Sequence, residues 1–262
     1  MSGRDLARRI GISQSKVSRI ESSATTPTVP AVRAWAQAVG ASAETRDRLA
    51  ALTEEVFAEV QAWRVALSTV GHLQAEIERR EAAAERVRVF QPSVVPGLLQ
   101  TAEYARRVFG LFHLPYADDD LAKAVAGRLS RQLALYEEDR RFGFLITEAA
   151  LRWRPGPARV LQAQLDRISS LTTLDNVSIG LIPLDVEAIT IISTGFDILD
   201  GQDGSSLVTI ETRHASLAID TAAHVAEYEQ AWSLLTEMAV FEEDARALLD
   251  RIRPSLVDGP VT

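Results

Sequence analysis

Residues 14–19 crowd an amide, two hydroxyls and two cations into one short run: Gln14, Ser15, Lys16, Ser18 and Arg19. Each is a group that pairs with the edge of a base or with phosphate. Glutamine matches adenine bidentately, arginine and lysine reach guanine O6 and N7, and serine bonds bases or phosphate. Wound into a helix at about 100° per residue, the run places Val17 and Ile20 on one face and Ser15, Ser18, Arg19 and Ser22 on the other, with Gln14 and Lys16 flanking. Small hydroxyls on that outer face allow a close approach to the floor of a major groove. The start of the helix, Gln14 to Lys16, offers N–H groups to phosphate. Arg4, on the segment before, adds a further cation. The competing reading is an ordinary polar face in a helical bundle.

The elements that must position this face are legible around it. Ser2 and Asp5 have capping-box spacing, and Leu6 and Ile10 share one helical face, which predicts a helix from Ser2 to Ile10. Gly11 stops it, because a residue without Cβ takes the positive φ of a tight turn. Ser13 is the expected N-cap of the second helix, residues 13–22. Ser, Thr and Pro then mark a loop from Ser22 to Pro30, followed by a helix with Val32, Trp35, Ala36 and Val39 as its apolar positions. Gly40 ends that helix, and another runs from about Ala43 to Leu52.

From Glu54, apolar residues at Val56, Val60, Trp63, Leu67 and Val70 make a short heptad-like seam. A coiled coil and an amphipathic helix packed on its own chain both fit it. Glu76 to Arg88, rich in Glu, Arg and Ala, reads as a solvated connecting helix. Beyond Phe90 two prolines interrupt the chain, and helices are predicted from about Leu99 and over Asp118–Glu138. Strands are predicted at Phe142–Ile146, Val177–Ile182, Phe196–Leu199, Leu207–Ile210 and Ser216–Ile219, with a helix from Ala158 to Leu171. Asp203-Gly204 is a hairpin turn signal. Helices over Thr221–Ala239 and Phe241–Ile252 close the chain. The expected fold is mainly α with an α+β C-terminal domain: a helix-turn-helix bundle over residues 1–53, a connecting helix over 54–89, and over 90–262 a small, mostly antiparallel sheet covered by helices.

Charge separates the parts. The 262 residues carry a net charge of −8, which alone argues against binding a polyanion. Yet residues 1–53 hold eight basic side chains against four acidic, leaving 20 against 32 for the remainder. Such asymmetry points to a nucleic-acid-facing segment attached to something else. Zero cysteines exclude disulfides, thiolate metal sites and a cysteine nucleophile, and fit a cytoplasmic protein. No apolar run reaches the roughly 18 residues of a membrane span, and the start lacks a signal peptide's apolar core. The four histidines, His72, His113, His214 and His224, have no metal-ligand spacing. The acids at Glu137-Glu138-Asp139 and Glu242-Glu243-Asp244 fit solvated helix faces, and no phosphate loop or nucleophile elbow is present. The chain is therefore expected to be no enzyme and to need no metal or cofactor.

The run LARRIGISQSKVSRIE resembles the helix-turn-helix of the Xre and phage-repressor family, with Ala7 at the small-residue position, Gly11 in the turn, and Val17 and Ile20 in the core. The resemblance implies base contacts from Gln14 and Ser15, and a homodimer on a double-stranded operator. Members of that family carry one more helix ahead of the turn, whereas Met1 here directly precedes the first. The resemblance thus implies either an upstream start or a missing helix, with Leu6, Ile10 and Val17 losing cover worth roughly 1.5–3 kcal/mol each. Residues 73–253 are similar to the C-terminal domain of the antitoxin-like regulators of actinomycetes. The carrying runs are FQPSVVPGLLQTAEYAR, RLSRQ, FGFLITEAALR, QAQLDRISSL with NVSIGLIPL, and VAEYEQAWSLL.

That group implies a small protein partner encoded nearby. The surfaces expected to take it are the closing helix with Val225, Tyr228 and Trp232, or the segment around Leu98, Leu99 and Tyr104, unless these residues are internal core. The alternative is a small-molecule sensor with a ligand pocket in the C-terminal domain.

Overall fold

In the computed structural model, which describes residues 2–22, 27–53, 77, 81–113, 119–212 and 216–253, the first helices begin and end at the residues predicted to cap them. Helix α1, Gly3–Ile10, opens with a complete capping box: the Ser2 hydroxyl accepts from Asp5 N, and the Asp5 carboxylate accepts from Ser2 N. Gly11 turns the chain at φ +70°. Ser13 caps α2, Gln14–Glu21, by accepting from Lys16 N at 3.2 Å. Helix α3 is Val29–Ala38, with Pro30 in its first turn, where a missing N–H costs nothing. Residues 43–53 form α4.

These helices belong to a unit of residues 1–64; residues 65–262 form a second unit. The heptad-like seam from Val56 to Val70 lies outside the described residues.

The core of the first unit is Leu6, Ala7 and Val17, backed by Ile10, Ile12, Trp35 and Ala38. Leu6 and Val17 are only 4% and 1% exposed, so the predicted loss of cover does not occur at these two positions. The physical reason is that α3 supplies the cover, and Arg9 fastens it by donating to Ala38 O at 3.0 Å. Val39, predicted on the apolar stripe of α3, is instead 55% exposed, because it follows the last helical residue in the turn toward Gly40.

The second unit is built on a six-stranded sheet in the order β3-β2-β1-β4-β5-β6. Its strands are β1 Ala84–Gln91, β2 Arg141–Thr147, β3 Val177–Ile182, β4 Phe196–Gly201, β5 Ser206–Glu211 and β6 Ser216–Ile219. The ladders β1–β2 and β2–β3 are parallel; β1–β4, β4–β5 and β5–β6 are antiparallel. The sheet is thus mixed, with the antiparallel ladders confined to one half. Strand β1 occupies part of the stretch expected to be a connecting helix. It is a strand because Val87 and Val89 alternate with Arg86 and Arg88, a period of two that sends the valines to one face of the sheet and the arginines to the other.

Helices cover both sheet faces. On one face Val87, Val89, Phe142, Phe144, Ile146, Ile179 and Leu181 pack with α8, Ala158–Leu171, and α10, Glu242–Ile252. The other face, with Phe90, Leu145, Ile182, Phe196, Ile198, Val208 and Ile210, lies under α9, Ala222–Glu237. The β1–β2 crossover carries α5, Ala102–Gly110, and α6, Asp120–Arg131; the β2–β3 crossover carries α7, Glu148–Arg152, and α8. The β4–β5 hairpin turns at Asp203-Gly204, with Gly204 at φ +78°.

Close approach needs a glycine at Gly180. A Cβ there would stand 2.6 Å from the Phe241 ring and 2.7 Å from Leu145 Cδ2. Its absence lets Phe241 lie directly on the sheet.

Candidate nucleic-acid interface

Helix α2 buries Val17 in the first unit's core and leaves Ile20 half-buried, which turns the opposite arc outward. Gln14, Ser15, Ser18, Arg19 and Ser22 are all exposed, and Lys16 is half-buried. Arg4 is exposed on α1. The six residues predicted for DNA reading are therefore carried by two consecutive helices of one unit, five of them on α2. Among the described residues no ion pair engages Arg4, Lys16 or Arg19, so their charges remain available to phosphate. The Ser15 hydroxyl lies 3.0 Å from that of Ser13.

One expectation needs correction. Lys16 N–H is not open to phosphate, because it already donates to the cap at Ser13. A capping side chain satisfies one of the free donors of a helix start.

The residues expected to dock a partner are placed differently. Leu98, Leu99 and Tyr104 are 3%, 0% and 0% exposed, within the core on the α8 face of the sheet. Val225 is 8% exposed and faces the sheet from α9, while Tyr228 and Trp232 are partly buried against the same cluster. Leu98, Leu99, Tyr104 and Val225 thus cannot form a docking surface in this fold: sheet and helices already cover them. Burial pushes the Tyr104 hydroxyl up to about 12, although Val95 N–H donates to it.

Three buried glutamines hold the backbone around Leu98 and Leu99. Gln164 donates to Leu99 O and accepts from Thr101 N, both at 2.7 Å. Gln132 donates to Gln100 O at 2.7 Å, and Gln100 donates to Val95 O at 2.7 Å. Each answers a backbone group that the prolines and the short turn leave outside regular structure.

Sequence reasoning did not identify a group on the α9 face of the sheet. A pocket of about 470 Å³ is lined there by Arg86 and Arg88 of β1, Arg141 and Gly143 of β2, Ser178 of β3, and Trp232, Thr236 and Phe241, with Asp175 and Asn176 also in its lining. Arg88 is buried and paired with Asp200, at 2.8 Å, and with Glu229. Burial opposes its charge, but these two carboxylates outweigh that and raise its pKa above the ordinary value. The available signal was the alternation RVRV, which period-two reading assigns to a strand with two arginines on one face. Among the described residues no cluster of three His, Asp or Glu can hold a metal, and no helix is long and apolar enough to cross a membrane.

A capped helix, a glycine turn and a second helix with an outward polar arc define a helix-turn-helix protein, here carrying a separate sheet-based unit in the same chain. Residues 1–49 match the family described as a helix-turn-helix domain, which supports a DNA-binding regulator of transcription. Residues 74–251 match the family described as a domain of unknown function (DUF5753), and the chain belongs to that family. No curated protein matches it.

Proposed function

We propose that this protein is a sequence-specific transcriptional regulator of the Xre type, grouped with the antitoxin-like regulators, in which α2 enters the major groove of a double-stranded operator. The observation that carries this reading is the exposed arc Gln14, Ser15, Ser18 and Arg19, displayed by a capped helix whose core side is fixed by Val17. Arg4 and Lys16 add phosphate contacts. A single short recognition helix reads few base pairs, so the protein works as a homodimer on half-sites about 34–36 Å apart, or a multiple of that. It is cytoplasmic, uses no cofactor and catalyses no reaction.

The test is operator binding by Gln14→Ala and Arg19→Ala in the full chain at matched salt. Each loses about 1–3 kcal/mol of discrimination between operator and random DNA if it makes a bidentate base contact. Unchanged operator-to-random ratios in both variants would remove these residues from direct readout.

The second unit binds a small protein encoded nearby and thereby modulates operator affinity. Its acidic balance supports a role other than gripping phosphate. By linkage, operator DNA changes partner affinity by the same factor that the partner changes operator affinity. Calorimetry of the full chain with that protein, with no heat and no co-elution, would sink this part. The small-molecule reading of the same unit is favoured by one observation, the pocket beside Arg86, Arg141 and Trp232.

A further inference from the structure

Arg86 and Arg141 face each other in register on neighbouring parallel strands and line the same pocket. Like charges directly opposite one another on a sheet repel. Their natural counter-ions are committed elsewhere. Asp200, in register with Arg86 on β4, pairs with Arg88 and accepts from the Ser206 hydroxyl; Glu229 also pairs with Arg88. Asp175 stands in the lining and forms no ion pair with either arginine. Among the described residues Arg86 and Arg141 have no partner, and both are exposed. Buried Arg88, also in the lining, has an Nε–H with no acceptor among the described residues. Asn176, Ser178 and Thr236 add polar groups to the lining, and its flat apolar part is aromatic. Trp232 lies so close to the sheet that a Cβ on Gly143 would stand 3.2 Å from its ring, and Phe241 lines the pocket beside it.

We propose that this pocket binds a small organic anion with a flat apolar body, its oxyanion head held by Arg86 and Arg141 and its ring set against Trp232 and Phe241. Paired guanidinium groups match the geometry of carboxylate and phosphate oxygens. A volume of about 470 Å³ suits a small molecule. The proposal rests on the small-molecule reading of this unit and names its ligand class.

Naphthalene-2-carboxylate and 2-naphthyl phosphate are titrated into the full chain by calorimetry and tryptophan fluorescence, with neutral naphthalene-2-carboxamide as comparison. The expected result is saturable binding of at least one anion, with the carboxamide weaker by about tenfold or more. Arg86→Gln and Arg141→Gln each weaken the anion by about tenfold or more, whereas Arg246→Gln, on α10 across the sheet, does not. The anion-to-carboxamide ratio on the unmodified protein needs no variant, so the test stands even if a variant folds poorly. Carboxamide binding equal to that of the anions overturns the anion assignment and leaves the small-molecule reading standing. Saturable anion binding indifferent to both arginine changes overturns the site. Failure of all three probes to bind overturns the proposal together with the reading beneath it.

Discussion

Replacing Gln164 by leucine keeps the side-chain volume and deletes two hydrogen bonds, both 2.7 Å long in the fold. Gln164 is fully buried, and so is Leu99, whose carbonyl would lose its donor with no water within reach. Thr101 N–H is partly buried and regains some solvent. An unpaired buried backbone group costs about 1–3 kcal/mol, so the carbonyl at the full figure and the N–H at a fraction give a loss of about 2–4 kcal/mol. For a unit of this size that lowers the melting temperature by about 5–15 °C. Urea unfolding of the full chain, followed by circular dichroism, reads the loss directly.

Gln164→Glu sharpens the test. Its carboxylate still accepts from Thr101 N–H but faces the Leu99 carbonyl with no proton to give, so its pKa is raised in the fold. The penalty is therefore largest at neutral pH and shrinks as the pH falls toward the unfolded value, where the acid becomes a donor. A leucine variant within about 0.5 kcal/mol of the parent would refute the claim that this glutamine satisfies the backbone around Leu99.

Gly180→Ala should cost about 1–3 kcal/mol, because the new methyl meets the Phe241 ring and Leu145 at separations no relaxed contact adopts; an unchanged urea midpoint would show that Phe241 moves aside freely. Burial pushes the Asp197 carboxyl well above its ordinary value of 3.8, with Glu211 and Glu81 adding and Arg131 opposing. Its charge is disfavoured in the fold, so the penalty is absent below the unfolded value, develops as the pH rises above it and is complete above the raised value. Asp197→Asn should therefore raise the melting temperature at neutral pH by about 2–4 °C per kcal/mol relieved, and leave it unchanged near pH 3. Equal melting temperatures at neutral pH would show that the carboxylate is compensated.

Much of this could be read from residue types because local and tertiary demands agree. The strands Val177–Ile182 and Ser216–Ile219 and the helix Ala158–Leu171 fall where their apolar runs and periodicity place them. The turn at Gly11 and the cap at Ser13 follow from backbone chemistry that needs no tertiary context. Periodicity says which side chains share a face but not whether another element covers it. Val225, Tyr228, Trp232 and Leu235 do share one face of α9, and the sheet beneath makes that face interior. The same limit hid the burial of Leu98, Leu99 and Tyr104, since two of the glutamines that hold their backbone, Gln132 and Gln164, lie far along the chain.

Strand β1 is the clearest misreading, and its cause is chemical. AERVRVFQ carries Glu and Arg where an interior strand normally carries Val or Ile, so composition favours a solvated helix. The fold accepts Arg88 inside only because Asp200 arrives from β4 and Glu229 from α9, partners more than a hundred residues away that no local window contains. Among the described residues Arg86 receives no such partner, and Arg141, its neighbour in register, receives none either. A sheet that needed only stability would place β-branched residues at these two positions. Departures from local consistency concentrate where a site is built, and here the departure that defeats the sequence reading lies in the wall of the pocket assigned to the anion.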